Sequence, residues 1–258
     1  MNTYFNIPYT GTDDGMRYID LFVPERNPSK MCILFIHGGG WSAGSKEQFH
    51  SLASHFCGLG YTCASLSYRL SGPYKFPAQI EDARLGMSFL KWNADRYLFE
   101  PERIAAFGSS AGGHLALLLA LIQPGDSMGS VPGLTEKNTL PCAVIAYCPV
   151  TDLKREKQSY AQLIGSSFAD ARELYRSASP VDWPQPANIP MLVINGDEDT
   201  TTPLAASEAY CQKVREAGGR AKLVVLPGVK HGFGYGVTTE AQLVSVRHAE
   251  RFLDGLHF

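Results

Sequence analysis

Six short, almost wholly apolar runs recur along this chain, at 32–36, 62–66, 104–107, 143–147, 191–194 and 223–226. Runs this brief and apolar are buried on both faces, as the strands of a parallel sheet are. Between them, 46–59, 77–96, 110–122, 203–217 and 240–253 carry helical patterns. Strands alternating with helices predict a mainly parallel α/β sheet of about eight strands with helices on both faces. Upstream, alternation over 17–23 predicts a half-exposed strand, paired antiparallel with 4–9 across Gly11-Thr12-Asp13-Asp14-Gly15. Segments 123–141 and 154–190 are expected to be irregular, with at most short helices in the second. Both leave the carboxyl ends of strands, the edge where open α/β sheets bind ligands. With 258 residues, 45% of them hydrophobic, the chain can bury a full core, and one domain over 1–258 is the simplest organisation.

The run at 104–107 leads into Gly108-Ser109-Ser110-Ala111-Gly112-Gly113 and then an apolar helical stretch. A serine between glycines at a strand-to-helix turn is the pattern of a nucleophile elbow, where a Cβ at either glycine would strike the neighbouring strand or helix. Gly108 and Gly112 stand two residues either side of Ser110, whereas Ser109 has Phe107 and Ala111 at those positions, so Ser110 is the candidate nucleophile.

A serine hydroxyl needs a base to take its proton and a carboxylate to orient that base, here in the chain order serine, acid, histidine. Of His37, His50, His55, His114, His231, His248 and His257, only the last three follow the final predicted strand. His231 lies in a glycine-flanked loop beyond that strand, while His248 and His257 fall on or after the last helix and suit surface roles. His114, one helical turn after Ser110, reads as a packing residue. The run at 191–194 is followed by Asn195-Gly196-Asp197-Glu198-Asp199. Asp199 is the leading acid, Asp197 the second and Asp152, after Pro149-Val150-Thr151, the third. Helix capping would also explain Asp199, although Thr201 or Thr202 could cap a helix starting at Pro203 instead.

Charge developing on a carbonyl oxygen needs preorganised donors, each worth on the order of 10² to 10³ in rate. His37-Gly38-Gly39-Gly40-Trp41 follows the first central run, and its glycines let backbone amides approach a substrate. The amide of Ala111 supplies a further donor, and His37 is expected to pin the loop rather than act as a base.

These four motifs, His37-Gly38-Gly39-Gly40-Trp41, Gly108-Ser109-Ser110-Ala111-Gly112-Gly113-His114, Gly196-Asp197-Glu198-Asp199 and His231-Gly232-Phe233, together resemble the α/β-hydrolase superfamily. The resemblance is to its small esterase/lipase group, with acetyl esterases and acetylxylan/feruloyl carbohydrate esterases. It extends over Ser67-Tyr68-Arg69-Leu70, the start of the helix at 77–82 and Ser179-Pro180-Val181. It implies an α/β-hydrolase fold, a triad of Ser110, Asp199 and His231, and oxyanion donors at Gly39, Gly40 and Ala111. Two departures stand out: Asn195-Gly196 replaces a frequent His-Gly, and Thr202 a frequent valine. Trp41, Tyr68 and Phe233 are the candidate substrate contacts; Tyr74, Phe76, Tyr147, Tyr160 and Tyr235 also lie near strand ends or in overhanging loops. Arg69 and Asp82 are expected to form a structural ion pair.

Hormone-sensitive-lipase-like relatives carry an N-terminal helical cap, but only 36 residues precede His37 and two strands occupy most of them, so no large cap is expected. A site covered by loops suits small esters, or acyl groups on a bulky carbohydrate. The expected activity is hydrolysis of short-chain carboxylic esters, with acetyl or feruloyl esters of carbohydrates as targets. An arylformamidase-like amide hydrolase is an alternative with the same triad, and a non-catalytic receptor on the same fold is one of another class. No metal or organic cofactor is needed for such chemistry.

The formal net charge is −2, and no run of Lys or Arg offers a footprint for nucleic acid or an anionic membrane. Met1-Asn2-Thr3-Tyr4-Phe5 lacks a basic segment followed by an apolar one, and no apolar run approaches the roughly 20 residues a membrane span needs. A cytoplasmic protein is expected, as monomer or dimer. Of six cysteines, Cys32, Cys63, Cys142 and Cys148 sit in or beside apolar runs, where reduced thiols pack as small hydrophobes.

Overall fold

A computed structural model describes residues 1–134, 137–185 and 188–256. Its sheet has eight strands: β1 (Asn2–Pro8), β2 (Tyr18–Val23), β3 (Cys32–Ile36), β4 (Thr62–Leu66), β5 (Ile104–Ser109), β6 (Ala143–Tyr147), β7 (Met191–Gly196) and β8 (Ala221–Leu226). They lie in the order β1-β2-β4-β3-β5-β6-β7-β8. The β1–β2 and β2–β4 pairs are antiparallel and the rest parallel, as the apolar runs require.

The helices are α1 (His50–Gly58), α2 (Ala78–Trp92), α3 (Ala111–Leu121), α4 (Gln158–Ile164), α5 (Arg172–Ser177), α6 (Leu204–Glu216) and α7 (Glu240–Asp254). Central strands feed alternate side chains to two cores. Leu34, Ile36, Ala106 and Val193 meet α2, α3 and α6 on one face. Ile33, Phe35, Phe107 and Ile194 meet α1 and α7 on the other. A period of two with both faces covered explains why these strands read as continuous hydrophobic runs.

Two helices differ from expectation. The pattern at 46–59 divides into a 3₁₀ turn at Lys46–Phe49 and then α1. The pattern at 77–96 stops at Trp92, where the Asn93 side chain donates to the Phe89 carbonyl, and resumes as a 3₁₀ turn at Asp95–Tyr97. The only helices in 154–190 among the described residues are α4, α5 and a 3₁₀ turn at Pro180–Asp182.

Sheet order sets the position of the cleft. From β3 the chain crosses to β4 on one side through α1, then returns past β3 to β5 through α2, so β3 and β5 pair at the point where the winding reverses. Loops leaving adjacent parallel strands in opposite directions open a crevice at their carboxyl ends. His37 follows β3 and Ser110 follows β5, so both candidate loops flank that crevice.

Candidate active site

Ser110 connects β5 to α3 with φ 56° and ψ −117°, a region that a non-glycine residue rarely occupies. Its neighbours enforce the turn. A Cβ on Gly108 would lie 2.1 Å from the Gly112 carbonyl oxygen, and one on Gly112 would lie 1.9 Å from the Ile36 oxygen. The Ser110 amide donates to the Tyr147 carbonyl at 2.8 Å, and the Ser110 carbonyl accepts from the His114 amide. Ser109 is the last residue of β5 and is buried, its hydroxyl 3.9 Å from the Cys148 sulfur. The strain therefore presents Ser110 alone to the cleft.

Ser110 Oγ lies 2.9 Å from His231 Nε2, and His231 Nδ1 lies 2.7 Å from Asp199 Oδ2. Asp199 Oδ1 accepts the amides of Thr201 and Thr202 at 2.8 Å each. Asp199 therefore does not cap α6: one oxygen ties down the turn before that helix and the other meets the imidazole. Pro203, with no side-chain cap, precedes α6, so neither Thr201 nor Thr202 caps that helix. Asp197 instead accepts the Gly228 amide at 2.7 Å, and Asp152 is exposed beside Lys154. Neither reaches His231.

Electrostatics orders the three groups. Burial raises the Asp199 carboxyl, but the hydrogen bonds from His231 and the Thr202 amide outweigh it and hold the group below its ordinary value. Burial lowers His231, but the Asp199 hydrogen bond and charge, with the Cys148 sulfur, carry it above the usual imidazole range. Cys148, Asp199 and His231 offer ligand atoms within 4.8 Å of one another, the one trio of metal-ligand type among the described residues. Asp199 Oδ2 and His231 Nδ1 already bond each other, so a cation held by that pair of atoms would have to break the arrangement.

The amides of Gly39 and Gly40 have no protein acceptor among the described residues. Ala111 opens α3 and carries one of the donors a helix start leaves unpaired. All three line the same cleft as Ser110 and His231, about 410 Å³ in volume. The Gly38 amide is not available to a substrate, because it donates to the Tyr235 hydroxyl at 3.0 Å. His37 holds the loop from below: its Nδ1 lies 2.8 Å from the Gly38 carbonyl and its ring stacks on Tyr68 at 4.2 Å. Burial pulls the His37 imidazole down to about 4, so it is neutral at ordinary pH.

Of the expected substrate contacts, only Trp41 lines the cleft. Its indole Nε1 donates to His114 Nδ1 at 3.1 Å, which makes His114 a packing residue with a task. Tyr68 is corrected: its hydroxyl donates to the His37 carbonyl, and it faces a separate cavity beside Arg69. Phe233 is corrected too, since it is buried and stacks on Tyr147 in the core of the second face. Tyr235, two residues on, takes the place at the cleft. Tyr160, Ser159 and Lys157 of the 154–190 segment complete the wall, and no motif marks them in the sequence.

Other candidates fall away from the cleft. Arg69 and Asp82 form the structural pair, with Arg69 Nη2 2.9 Å from Asp82 Oδ1 and 2.8 Å from Glu81. Tyr74 lies beneath Arg69, and Phe76 is buried in the core with α2. His248 lies on α7, and His257 lies outside the described residues. All six cysteines are unpaired thiols, and no helix among the described residues is long and apolar enough to cross a membrane.

Known proteins share this fold. The BD-FAE family model matches residues 19–214. Esterase LipQ of Mycobacterium tuberculosis is 28% identical over 253 residues, covering 93% of this chain and 59% of its own length. The chain thus spans little more than half of that curated relative. Thermogutta terrifontis esterase 2 in its butyrate-bound form superposes with a TM-score of 0.81 at 24% identity, covering 96% of this chain and 92% of that one. A truncated carbohydrate esterase from gut microbiota superposes with a TM-score of 0.86 at 21% identity, covering 99% and 97%. Both structures share the α/β-hydrolase fold seen here.

Proposed function

The chain belongs to the BD-FAE family of α/β-hydrolases, and from that membership we propose that it is a serine ester hydrolase acting on short-chain carboxylic esters. The observation that carries this reading is the continuous relay from Ser110 through His231 to Asp199, opening beside unpaired backbone amides. In this reading residues 1–258 act as one α/β-hydrolase domain.

The distances support the following roles. Ser110 gives its proton to His231 Nε2 as its oxygen attacks the ester carbonyl carbon. The resulting oxyanion is held by the amides of Gly39, Gly40 and Ala111. His231 then returns the proton to the departing alcohol, leaving an acyl-enzyme. Water repeats the sequence with His231 as base and frees the acid and Ser110. Asp199 keeps Nδ1 protonated, so that Nε2 faces the serine as an acceptor, and it stabilises the imidazolium formed in each step. No part of this sequence calls for a metal or organic cofactor.

A cleft of about 410 Å³, walled by Trp41 and Tyr160, supports small acyl groups as substrates. The butyrate-bound and carbohydrate-esterase neighbours support short acyl chains and acylated oligosaccharides as the class to test. We place the protein in a reducing, cytoplasmic compartment, a reading supported by its six unpaired thiols. A monomer or dimer is compatible with this site, whose relay of Ser110, His231 and Asp199 lies within one chain.

Initial rates on p-nitrophenyl esters of increasing acyl length, beside acetylated and feruloylated xylo-oligosaccharides, test the proposal. Highest kcat/KM on acetate to butyrate is expected. A preference for octanoate or longer chains would overturn the short-chain assignment, and turnover of an arylformamide in place of esters would redirect it to amides.

A further inference from the structure

One charged side chain in the cleft wall is not used by the hydrolytic relay. Lys157 stands just before α4 and lines the same cavity as Ser110, Trp41 and His231. Its Nζ donates to the Thr201 carbonyl at 3.1 Å and sits 5.1 Å from the Tyr160 ring centroid. Arg155 approaches the same ring at 5.7 Å, its guanidinium donating to the Tyr160 hydroxyl. Two cations therefore converge on one aromatic wall of the site.

Neither cation has an ion-pair partner among the described residues. Glu156, between the two cations in sequence, is exposed, and after burial its charge is the second cause that raises Tyr175 of α5. Asp152 lies beside Lys154, which also pairs with Asp182. Asp199 has both oxygens engaged by His231 and the 201–202 turn. Burial, followed by the Arg155 charge, lowers the Lys157 ammonium from its usual value, with Asp199 working in the opposite sense. An ammonium has three donors, and the Thr201 carbonyl takes one. A cleft-lining cation with free donors and no ion-pair partner is stabilised by an anion that enters the cleft with the ester.

We propose that Lys157 is a specificity-determining residue that selects esters bearing a carboxylate, on either the acyl or the alcohol portion, over neutral esters of the same size. The proposal rests on the esterase reading and narrows it: among acylated oligosaccharides it favours acid-bearing sugars. Arg155 acts behind Lys157 by keeping the wall positive and by holding Tyr160.

Paired substrates measured by pH-stat test it, and their arms separate the two positions of the anion. Monomethyl succinate against methyl pentanoate places the carboxylate on the acyl side, and acetoxyacetate against propyl acetate places it on the alcohol side. In the wild type, kcat/KM should favour the anionic member of at least one pair, the more so at low salt. In Lys157→Gln that ratio should fall about tenfold, as for loss of one partly desolvated charge contact. Lys157→Arg should keep the ratio, and Lys157→Glu should shift it against the anion and toward acetylcholine. Matching thermal melts for the three variants exclude misfolding as the cause. Equal kcat/KM within both pairs in the wild type, or a ratio unchanged in Lys157→Gln, would overturn the role of Lys157 while leaving the esterase intact. Inactivity of the wild type on every ester would instead overturn the esterase reading and the proposal with it.

Discussion

The hydroxyl of Thr202 donates to Asp199 Oδ2 at 2.9 Å, the same oxygen that meets His231. It also lies 3.2 Å from His231 Nδ1 and 3.1 Å from the Cys148 carbonyl oxygen. A hydroxyl has one proton, so it can serve either Asp199 or Cys148 at a given moment. Its lone pairs can share the Nδ1 proton with the carboxylate. Thr202 is therefore a positioning residue, set where valine is frequent in the esterase group this chain resembles. Thr202→Val keeps the shape and the backbone amide but loses these bonds. A hydrogen bond to a charged group contributes about 1.5 to 3 kcal/mol, so kcat should fall on the order of tenfold or more. KM should change little, because Thr202 is buried behind the cleft.

Asp199→Asn isolates the effect of the carboxylate on His231. As a base, His231 works only when unprotonated, and Asp199 raises its pKa, so activity is lost as pH falls through that raised value. Removing the charge lowers the His231 pKa, and the acid limb of kcat/KM should move to lower pH. The plateau should drop by about 10⁴, because the amide no longer holds the useful tautomer. A pH profile of both proteins on one neutral ester reads the two effects separately. A limb that stays in place would show that another group sets it.

The role of Ser110 is the most direct to test. Ser110→Ala removes the attacking oxygen, and kcat should fall by about 10⁶. A fluorophosphonate probe should label the wild type and leave the variant unlabelled. Labelling of the variant would point to another nucleophile, with Ser109 the nearest hydroxyl in sequence.

Much of this arrangement is legible in the amino-acid sequence, and the parts that are not have physical reasons. The central strands announce themselves because burial on both faces leaves no polar position to interrupt the run. β5 nevertheless extends past 107, since Gly108 and Ser109 pair with Ala146 and Tyr147 although neither is apolar. Ser110, Asp199 and His231 are recoverable because chain order and strand ends restrict each to a few positions. Phe233 and Tyr235 show where such reasoning stops. In an irregular loop no period says which of two aromatic rings turns to Tyr147 and which to Gly38. Lys157 carries no mark in the sequence, while Tyr160 shows only as an aromatic in an overhanging segment and Thr202 only as a departure from a frequent valine.

Gly108→Ala tests the close packing under the nucleophile. Its Cβ would lie 2.1 Å from the Gly112 oxygen and 2.3 Å from the Gly112 carbonyl carbon, both backbone atoms of the first turn of α3. Since no side chain can rotate away, the helix start must move. A stability loss on the order of 3 kcal/mol is expected, as for overpacking in a rigid core. Urea denaturation measures it, and a change within 0.5 kcal/mol or so, as at an ordinary surface site, would contradict the packing argument.

His114 joins the cleft to the segment above it, and that link separates two kinds of effect. Its Nδ1 accepts from Trp41, and its Nε2 donates to the Ala178 carbonyl at 2.7 Å. Burial pulls the imidazole down to about 4, so it is neutral and one nitrogen can accept while the other donates. His114→Leu keeps an apolar side chain but leaves the Trp41 N–H and the Ala178 carbonyl buried without a partner. Each unsatisfied group costs about 1 to 3 kcal/mol, so the loss of stability should be on the order of 3 kcal/mol. The indole also forms part of the cleft wall, so freeing it should raise KM for small esters while the Ser110–His231 contact, made by other residues, keeps kcat within a few-fold. Denaturation curves and steady-state kinetics on acetate and butyrate esters distinguish the outcomes. A loss of stability with KM unchanged would confine His114 to packing, whereas a rise in KM would show that it sets the wall against which the acyl group rests.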